Sequence, residues 1–359
     1  MVMAATRSAQ TLAPEFRARI NGADLPQRAV ADMMTASVHE DLGAPGMFTL
    51  RLSNWDMARL KVTWSDDDLF AEGNAVEIQM GYVDRLATLM VGEITGLEPE
   101  FCAGAPPTLT VRGYDRRHRL LRGRKTRSFR QIKDSDIASR IAGDLGLTAQ
   151  VEDTAVTLDY VLQHNQTDME FLLERAGRIG YEVVVEDKTL YFRPHQNATS
   201  EVLTLARDGD LIEFYPRLTT LTQVGQVAVR GWSPKDKAAI VGRAGAGDET
   251  ATMGGATTGP VAADNAFGQA RSASVDRPVF SQAEADQIAH GRFNDMALAY
   301  ISGEGICAGR TDLRAGAVIK IEGLGERFSG LYYVTSTTHT YSTRQGYRTA
   351  FSVRRNATS

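Results

Sequence analysis

Residues 163–194 read QHNQTDMEFLLERAGRIGYEVVVEDKTLYFRP, and the change of period inside them decides the fold. Thr167-Asp-Met-Glu170 has the form of a capping box, in which the Thr167 hydroxyl and the Glu170 carboxylate each satisfy the other's free backbone amide. Met169, Leu172, Leu173, Ala176 and Ile179 then recur at helical spacing, and Gly180 ends the run. From Tyr181 the period drops to two. Tyr181–Val185 and Thr189–Phe192 read as a hairpin across Glu186-Asp187-Lys188. A second helix lies upstream at Asp134–Leu145, with Asp134 as its N-cap, Ile137, Ile141 and Leu145 on one face, and Gly146 at its end. Residues 116–199 are therefore expected to form a compact α/β unit.

Working outward, both flanks are β. On the N-terminal side Phe16–Ile20 precedes a turn at Asn21-Gly22, and Thr49–Leu52, Val76–Met80, Thr88–Ile94 and Thr108–Arg112 alternate in the same way, with turn signals about every ten residues. On the C-terminal side come Val202–Leu205, Ile212–Leu218 and Gln226–Arg230. Gly242 to Ala263 is rich in Gly, Ala and Thr and poor in large apolar residues, so it is expected to be a mobile loop that builds no core. Ser281-Gln-Ala-Glu284 is another capping box, opening a helix over 281–302 with Ile288, Ala289, Phe293, Met296 and Tyr300 on one side. Val318–Glu322, Leu331–Thr337 and Arg348–Val353 return to β. The fold class is mainly β with an α/β insertion, and no tandem repeat interrupts it.

The 359 residues imply two or three domains, and 43% hydrophobic with 23% charged residues suits a chain that buries real cores. A formal net charge of -4 gives the whole chain no nucleic-acid or membrane signature. Met1 to Pro14 lacks the apolar stretch of a secretory signal, and no run is long and apolar enough to predict membrane insertion. Cys102 and Cys307 lie far apart and suggest neither a disulfide framework nor a zinc site, which fits synthesis in a reducing cytosol.

Most chemical candidates reduce to structural roles. His39, His118, His164, His195, His290 and His339 show no metal-ligand spacing, and for His339 packing or a hydrogen bond is the stronger reading. Asp66-Asp67-Asp68 lacks a calcium loop's spacing and distal Glu, and reads as a solvated turn. Glu170 and Glu174 stand one turn apart, as an acid/base pair might, but Glu170 is already explained as a cap. No catalytic residue, cofactor or metal is expected. Sequons at Asn165, Asn197 and Asn356 have no meaning in a bacterial cytosol. The strongest charge signal is Arg116, Arg117, Arg119, Arg122, Arg124, Lys125, Arg127 and Arg130, eight cations in fifteen residues. With only Tyr114 and Phe129 as stacking rings, a basic face toward an acidic neighbour or subunit outweighs a nucleic-acid patch. A lining of a central channel stands between the two.

Several stretches together resemble the phage late-control D family of tail hub proteins, the N-terminal half of VgrG spike proteins, and the hubs of extracellular contractile injection systems. They are Phe70-Ala-Glu-Gly73 leading to Val76–Ile78 and Gly81-Tyr82; Val91-Gly-Glu-Ile94; Val111-Arg-Gly-Tyr-Asp115; Asp136-Ile-Ala138 with Ile141-Ala142; the 163–194 stretch; Gly330-Leu-Tyr-Tyr-Val334; His339; Gly346-Tyr347; and Thr349-Ala-Phe351. The resemblance implies two small β-barrel domains that, in a homotrimer, present a pseudo-six-fold ring. The first would be residues 1–115, completed by about 200–222. The insertion would be 116–199, and the second barrel 223–359, with a flexible loop 242–278 and the helix 281–302. It implies a symmetry adaptor between an inner tube protein built of hexameric rings and a three-fold spike. Strand edges left open in one copy would be covered by neighbours. Other baseplate proteins would grip the insertion, and DNA or protein cargo would pass through the lumen. Where VgrG-type chains continue into a spike, this one stops at Ser359, so the spike is expected to be a separate protein. The particle would be assembled in the bacterial cytoplasm and then become a virion or extracellular machine. Two other classes compete: a tail-associated cell-wall hydrolase, which needs a carboxylate pair in a cleft, and a DNA-binding adaptor using residues 116–130, which a salt-dependent gel shift would reveal.

Overall fold

The computed structural model describes residues 13–83, 85–233, 236–275 and 278–359. Most of Met1 to Pro14 lies outside the described residues, as do 276–277 of the expected loop 242–278. The first strand, β1 (Pro14–Ile20), turns at Asn21-Gly22 into β2 (Ala23–Asp24). Both turn residues have positive φ, 51° and 83°, as a two-residue hairpin with the right twist requires. A short helix α1 (Gln27–Asp32) leads to β3 (Met33–Asp41) and β4 (Met47–Ser53). Two minor strands, β5 (Trp55–Asp56) and β6 (Lys61–Val62), precede the antiparallel run β7 (Ala75–Tyr82), β8 (Arg85–Glu100) and β9 (Thr108–Asp115). Alternate residues of these strands point inward, and Phe48, Leu50, Ile78, Met80 and Val111 build one apolar core.

The α/β unit follows: β10 (Lys125–Ile132), α2 (Asp134–Asp144), β11 (Thr148–Val151), β12 (Leu158–Gln166), α3 (Asp168–Ile179) and the hairpin β13 (Tyr181–Glu186) and β14 (Thr189–Pro194). The capping box is present, with the Thr167 hydroxyl accepting from the Glu170 amide at 3.1 Å and the Glu170 carboxylate accepting from the Thr167 amide at 2.9 Å. Gly180 takes the left-handed conformation that ends α3. Asp134 is not the N-cap of α2, since Lys133 precedes the helix. Asp134 is its first residue, buried against Arg175 of α3 through two hydrogen bonds of 2.6 and 2.9 Å.

After β15 (Leu203–Ala206) and β16 (Leu211–Leu218) come β17 (Gln226–Ser233), β18 (Ala238–Gly245), β19 (Thr257–Thr258), α4 (Gly259–Phe267), β20 (Arg271–Ser274) and α5 (Gln282–Leu298). The expectation of a coreless loop over 242–263 is corrected here. Gly242–Gly245 ends a strand, α4 begins at Gly259, and Met253 and Ala263 are buried. Glycine was read as freedom where it serves close approach: a Cβ on Gly242 would stand 2.2 Å from the Ala285 carbonyl of α5. The helix expected over 281–302 stops at Leu298. Ser281 caps it, but the Glu284 carboxylate reaches the Phe280 amide and Arg178 instead of completing the box. Nor does the boundary at 223 divide the cores: β17, β18 and α5 supply Val229, Ile240, Ile288 and Phe293 to the core of the α/β unit, beside Ile137, Phe171 and Phe192.

The chain closes with β21 (Ile301–Ala308), β22 (Val318–Glu322), β23 (Gly330–Ser342), β24 (Gly346–Arg355) and β25 (Ala357–Thr358). Tyr332, Ile319, Phe351 and Leu205 make a further core among them. The two β halves join in one thirteen-stranded sheet, ordered β16-β21-β24-β23-β3-β4-β9-β8-β7-β1-β2, with β15 and β22 branching from β23. Strand β23 is the common member. Its start pairs with β22, and Ser336–Ser342 pairs with both β24 and β3.

Candidate functional site

The eight cations of the basic run do not share a face. Arg116 to Leu121 form a short turn whose N-terminus is capped by Asp115, which accepts from the Arg117 amide at 2.8 Å. Arg117 is buried, donating from Nε to Asp115 at 2.9 Å and from Nη1 to the Asp41 carbonyl at 2.8 Å. Glu93, on β8, gathers three neighbours: Arg119 Nε at 3.0 Å, His118 Nε2 at 2.8 Å and Arg116 at 3.7 Å. Burial alone would raise the Glu93 pKa, but the bonds from Arg119 and His118 outweigh it and hold the carboxyl below its usual range. Arg116 also bonds Asp187, at the turn of the β13–β14 hairpin.

The remaining cations lie on or before β10. Lys125 bonds Asp168 at 2.6 Å, and Arg127 bonds Asp168 at 2.8 Å, Gln163 at 2.8 Å and Asp144 at 2.9 Å. Arg124 bonds Glu170 at 3.0 Å. These pairs place negative charge at the N-terminus of α3, where it is favoured, and tie β10 to it. Arg122 and Arg130 are exposed and form no ion pair among the described residues; Arg130 stands opposite Tyr160 on β12. Six of the eight cations are thus spent on internal carboxylates, which leaves two for any outside partner.

Two more polar joints complete the junction. Glu182 of β13, buried, accepts from Tyr333 Oη at 2.5 Å and Arg193 Nε at 3.0 Å, with His195 at 3.5 Å, and so fastens the hairpin to β23. Glu40 of β3 accepts from Arg314 Nε at 2.8 and 3.0 Å and from Thr337 at 3.2 Å. His339 is wholly buried nearby, its Nδ1 2.8 Å from Tyr347 Oη and 3.2 Å from Thr349 Oγ1; burial pushes its pKa down to about 4. Between these joints opens a cleft of about 480 Å³, bordered by Glu40, Asp115, Arg117, Glu186, Asp187 and Arg314.

Such an arrangement holds parts together and offers little for proton transfer. Glu170 is engaged by Thr167 and Arg124, and Glu174 by Gln166. Asp67 of the acidic run accepts from the Leu69 amide at 2.9 Å, as a turn residue does. Among the described residues no group of three His, Cys, Asp or Glu side chains is placed to hold a metal ion. Among them, too, no helix is long and apolar enough to cross a membrane. Sequence reasoning gave no such role to the carboxylates Glu40, Glu93, Glu182 and Asp168, each of which gathers two or more donors. Parity held a signal for one of them, because Glu40 falls in the inward series Ala36, Val38, Glu40 of β3.

This fold is that of phage tail proteins. The 43 kDa tail protein of prophage MuSo2 from Shewanella oneidensis superposes with a TM-score of 0.71 at 12% identity, covering 95% of this chain and 98% of that one. A tail protein from Neisseria meningitidis MC58 gives 0.68 at 12% identity, with 95% and 96% covered. An E. coli component of the type VI secretion system, structurally similar to bacteriophage T4 tail proteins, gives 0.60 at 13%, with 95% and 77% covered. The resemblance read from the sequence thus holds for the fold. At the level of sequence, the family model described as the Alg8 N-terminal domain matches residues 11–343, and the chain belongs to that family. No curated protein matches it.

Proposed function

We propose that this chain is a structural tail hub of the late-control D kind, serving the baseplate of a contractile phage tail or injection machine. As a homotrimer it would join a hexameric inner tube above to a separate trimeric spike below. What carries the reading is the end-to-end likeness to tail proteins, which spans 95% of this chain and 98% of the Shewanella one. The two β halves would act as the two barrels of each subunit, and three copies would set six around a lumen for DNA or protein cargo. The α/β unit would face the other baseplate proteins. The particle would be assembled in the bacterial cytoplasm and released with the virion or injection machine. The chain turns over no substrate in this reading, and the ion-paired joints support it, because they spend their carboxylates on rigidity. Arg122 and Arg130 remain as the cations for a channel or neighbour contact.

Light scattering of the purified protein, alone and mixed with a candidate spike protein, tests the proposal. A threefold mass, alone or with spike, is expected. A persistent monomer that ignores the spike would overturn the adaptor and bring assays for wall hydrolysis and DNA binding forward.

A further inference from the structure

The turn between β5 and β6 holds two large apolar side chains out into solvent. Met57 is 74% exposed and Leu60 70%. One exposed apolar residue is ordinary, but two on a single tight turn form a presented surface. The turn is fixed from behind, because the Asp56 carboxylate accepts from the Ala58 amide at 2.9 Å, the Arg59 amide at 3.0 Å and Arg28 at 2.8 Å. Leu60 takes φ +48°, a left-handed conformation that costs a branched side chain energy. The turn is also basic. Arg59 reaches Asp56 only at 3.7 Å, and the exposed Lys61 forms no ion pair among the described residues.

The chain carries a receptor of matching character at the far end of β3. The cleft of about 480 Å³ at the junction has Leu42, Val91, Val184 and Tyr191 among its walls, and five carboxylates border it against two arginines. Arg117 and Arg314 are engaged by Asp115 and Glu40, so Asp41 and Glu186 are left without a cation among the described residues. A basic apolar turn thus faces its complement in an acidic apolar cleft. No chain can fill its own cleft. The turn is tied to α1, through Arg28 to Asp56 and Trp64 Nε1 to Asp32 at 2.9 Å, just before β3 begins, whereas Glu40 and Asp41 end that strand. Nine extended residues separate the two sites by roughly 25 Å.

We propose that the Met57–Leu60 turn of one copy seats in this cleft of the next, with Met57 and Leu60 against the apolar walls and Arg59 and Lys61 toward Asp41 and Glu186. The contact is head to tail, so a three-fold rotation closes it into a ring. The assignment rests on the trimeric hub reading and names an anchor of its subunit interface. The test uses the full chain, in whichever mixture, alone or with spike, forms the trimer. With Cys102→Ser as background, Met57→Cys and Thr189→Cys are combined and oxidised, and the expected product is a covalent series ending at three chains. In light scattering, Met57→Asp, Arg59→Glu and Glu186→Lys should each weaken the trimer at least tenfold, and Arg59→Glu with Glu186→Lys should restore it. The substituted turn residues are exposed and should leave folding intact. No cross-link between copies, a series running beyond three, single substitutions that leave the trimer at full strength, or a double charge reversal no better than either alone would overturn this proposal and leave the hub reading standing. A parent that stays monomeric alone and with spike would overturn both.

Discussion

At the scale of single residues, buried polar groups set the stability. His339 has its pKa pushed down to about 4 from 6.5, so the unfolded chain binds its proton first as pH falls. The stability from this residue is complete above pH 6.5 and is lost as pH drops toward 4, by roughly 3 kcal/mol in all. Urea titrations across that window should show the slope, and His339→Gln should flatten it. Asp168 receives both Lys125 and Arg127, so Asp168→Asn should destabilise by about 3 kcal/mol, because two cations lose their shared partner. An Asp168→Asn midpoint equal to the parent's would remove that network from the account. Cys307 is buried with its thiol pushed up to about 12, and Cys102 is exposed. A thiol reagent should therefore titrate one cysteine in the native protein and two in denaturant. The cap at Thr167 was legible at this scale, since Thr167 and Glu170 are near in sequence. Ionic partners were not: Glu182 meets Tyr333 only after 151 residues of chain have folded back. The inward series Phe351, Val353, Arg355 did carry a readable sign that an arginine takes a core position.

At the scale of elements, glycine marks where backbones touch. A Cβ on Gly291 of α5 would come within 2.5 Å of the Ile179 backbone at the end of α3, and one on Gly242 within 2.2 Å of Ala285. Gly242→Ala and Gly291→Ala should each cost roughly 1–3 kcal/mol, with unchanged far-UV circular dichroism at low temperature. Full stability in either variant would mean that the elements part without penalty. Many of the strands and α2, α3 and α5 were legible because one face of each is apolar. β3, β10, β11, β12 and β21 were not recognised. β18 and α4 were misread. Their small residues pack by proximity and leave little hydrophobic periodicity to detect, as in Ala238-Ala-Ile-Val-Gly-Arg-Ala-Gly245.

At the scale of the whole molecule, the hydrophobic cores meet through a few polar joints and one shared strand. Tyr333→Phe removes the hydroxyl that Glu182 holds, and should speed amide exchange in 181–194 while leaving β3 and β4 unchanged. Uniform acceleration would show that the hairpin has no separate tether. The sequence reading set residues 116–199 apart as an α/β unit and carried no sign that β17, β18 and α5 complete its core, because such sharing depends on contacts distant in the chain. Strand β23 also has a mechanical consequence. Its residues are hydrogen-bonded to β22 at one end and to β24 and β3 along the other. A force drawing the two β halves apart along that strand would load its ladder in shear, with many hydrogen bonds bearing tension in parallel. The bonds would have to fail together and could not be peeled one by one, so the joint resists stretching far better than a flexible linker of equal length.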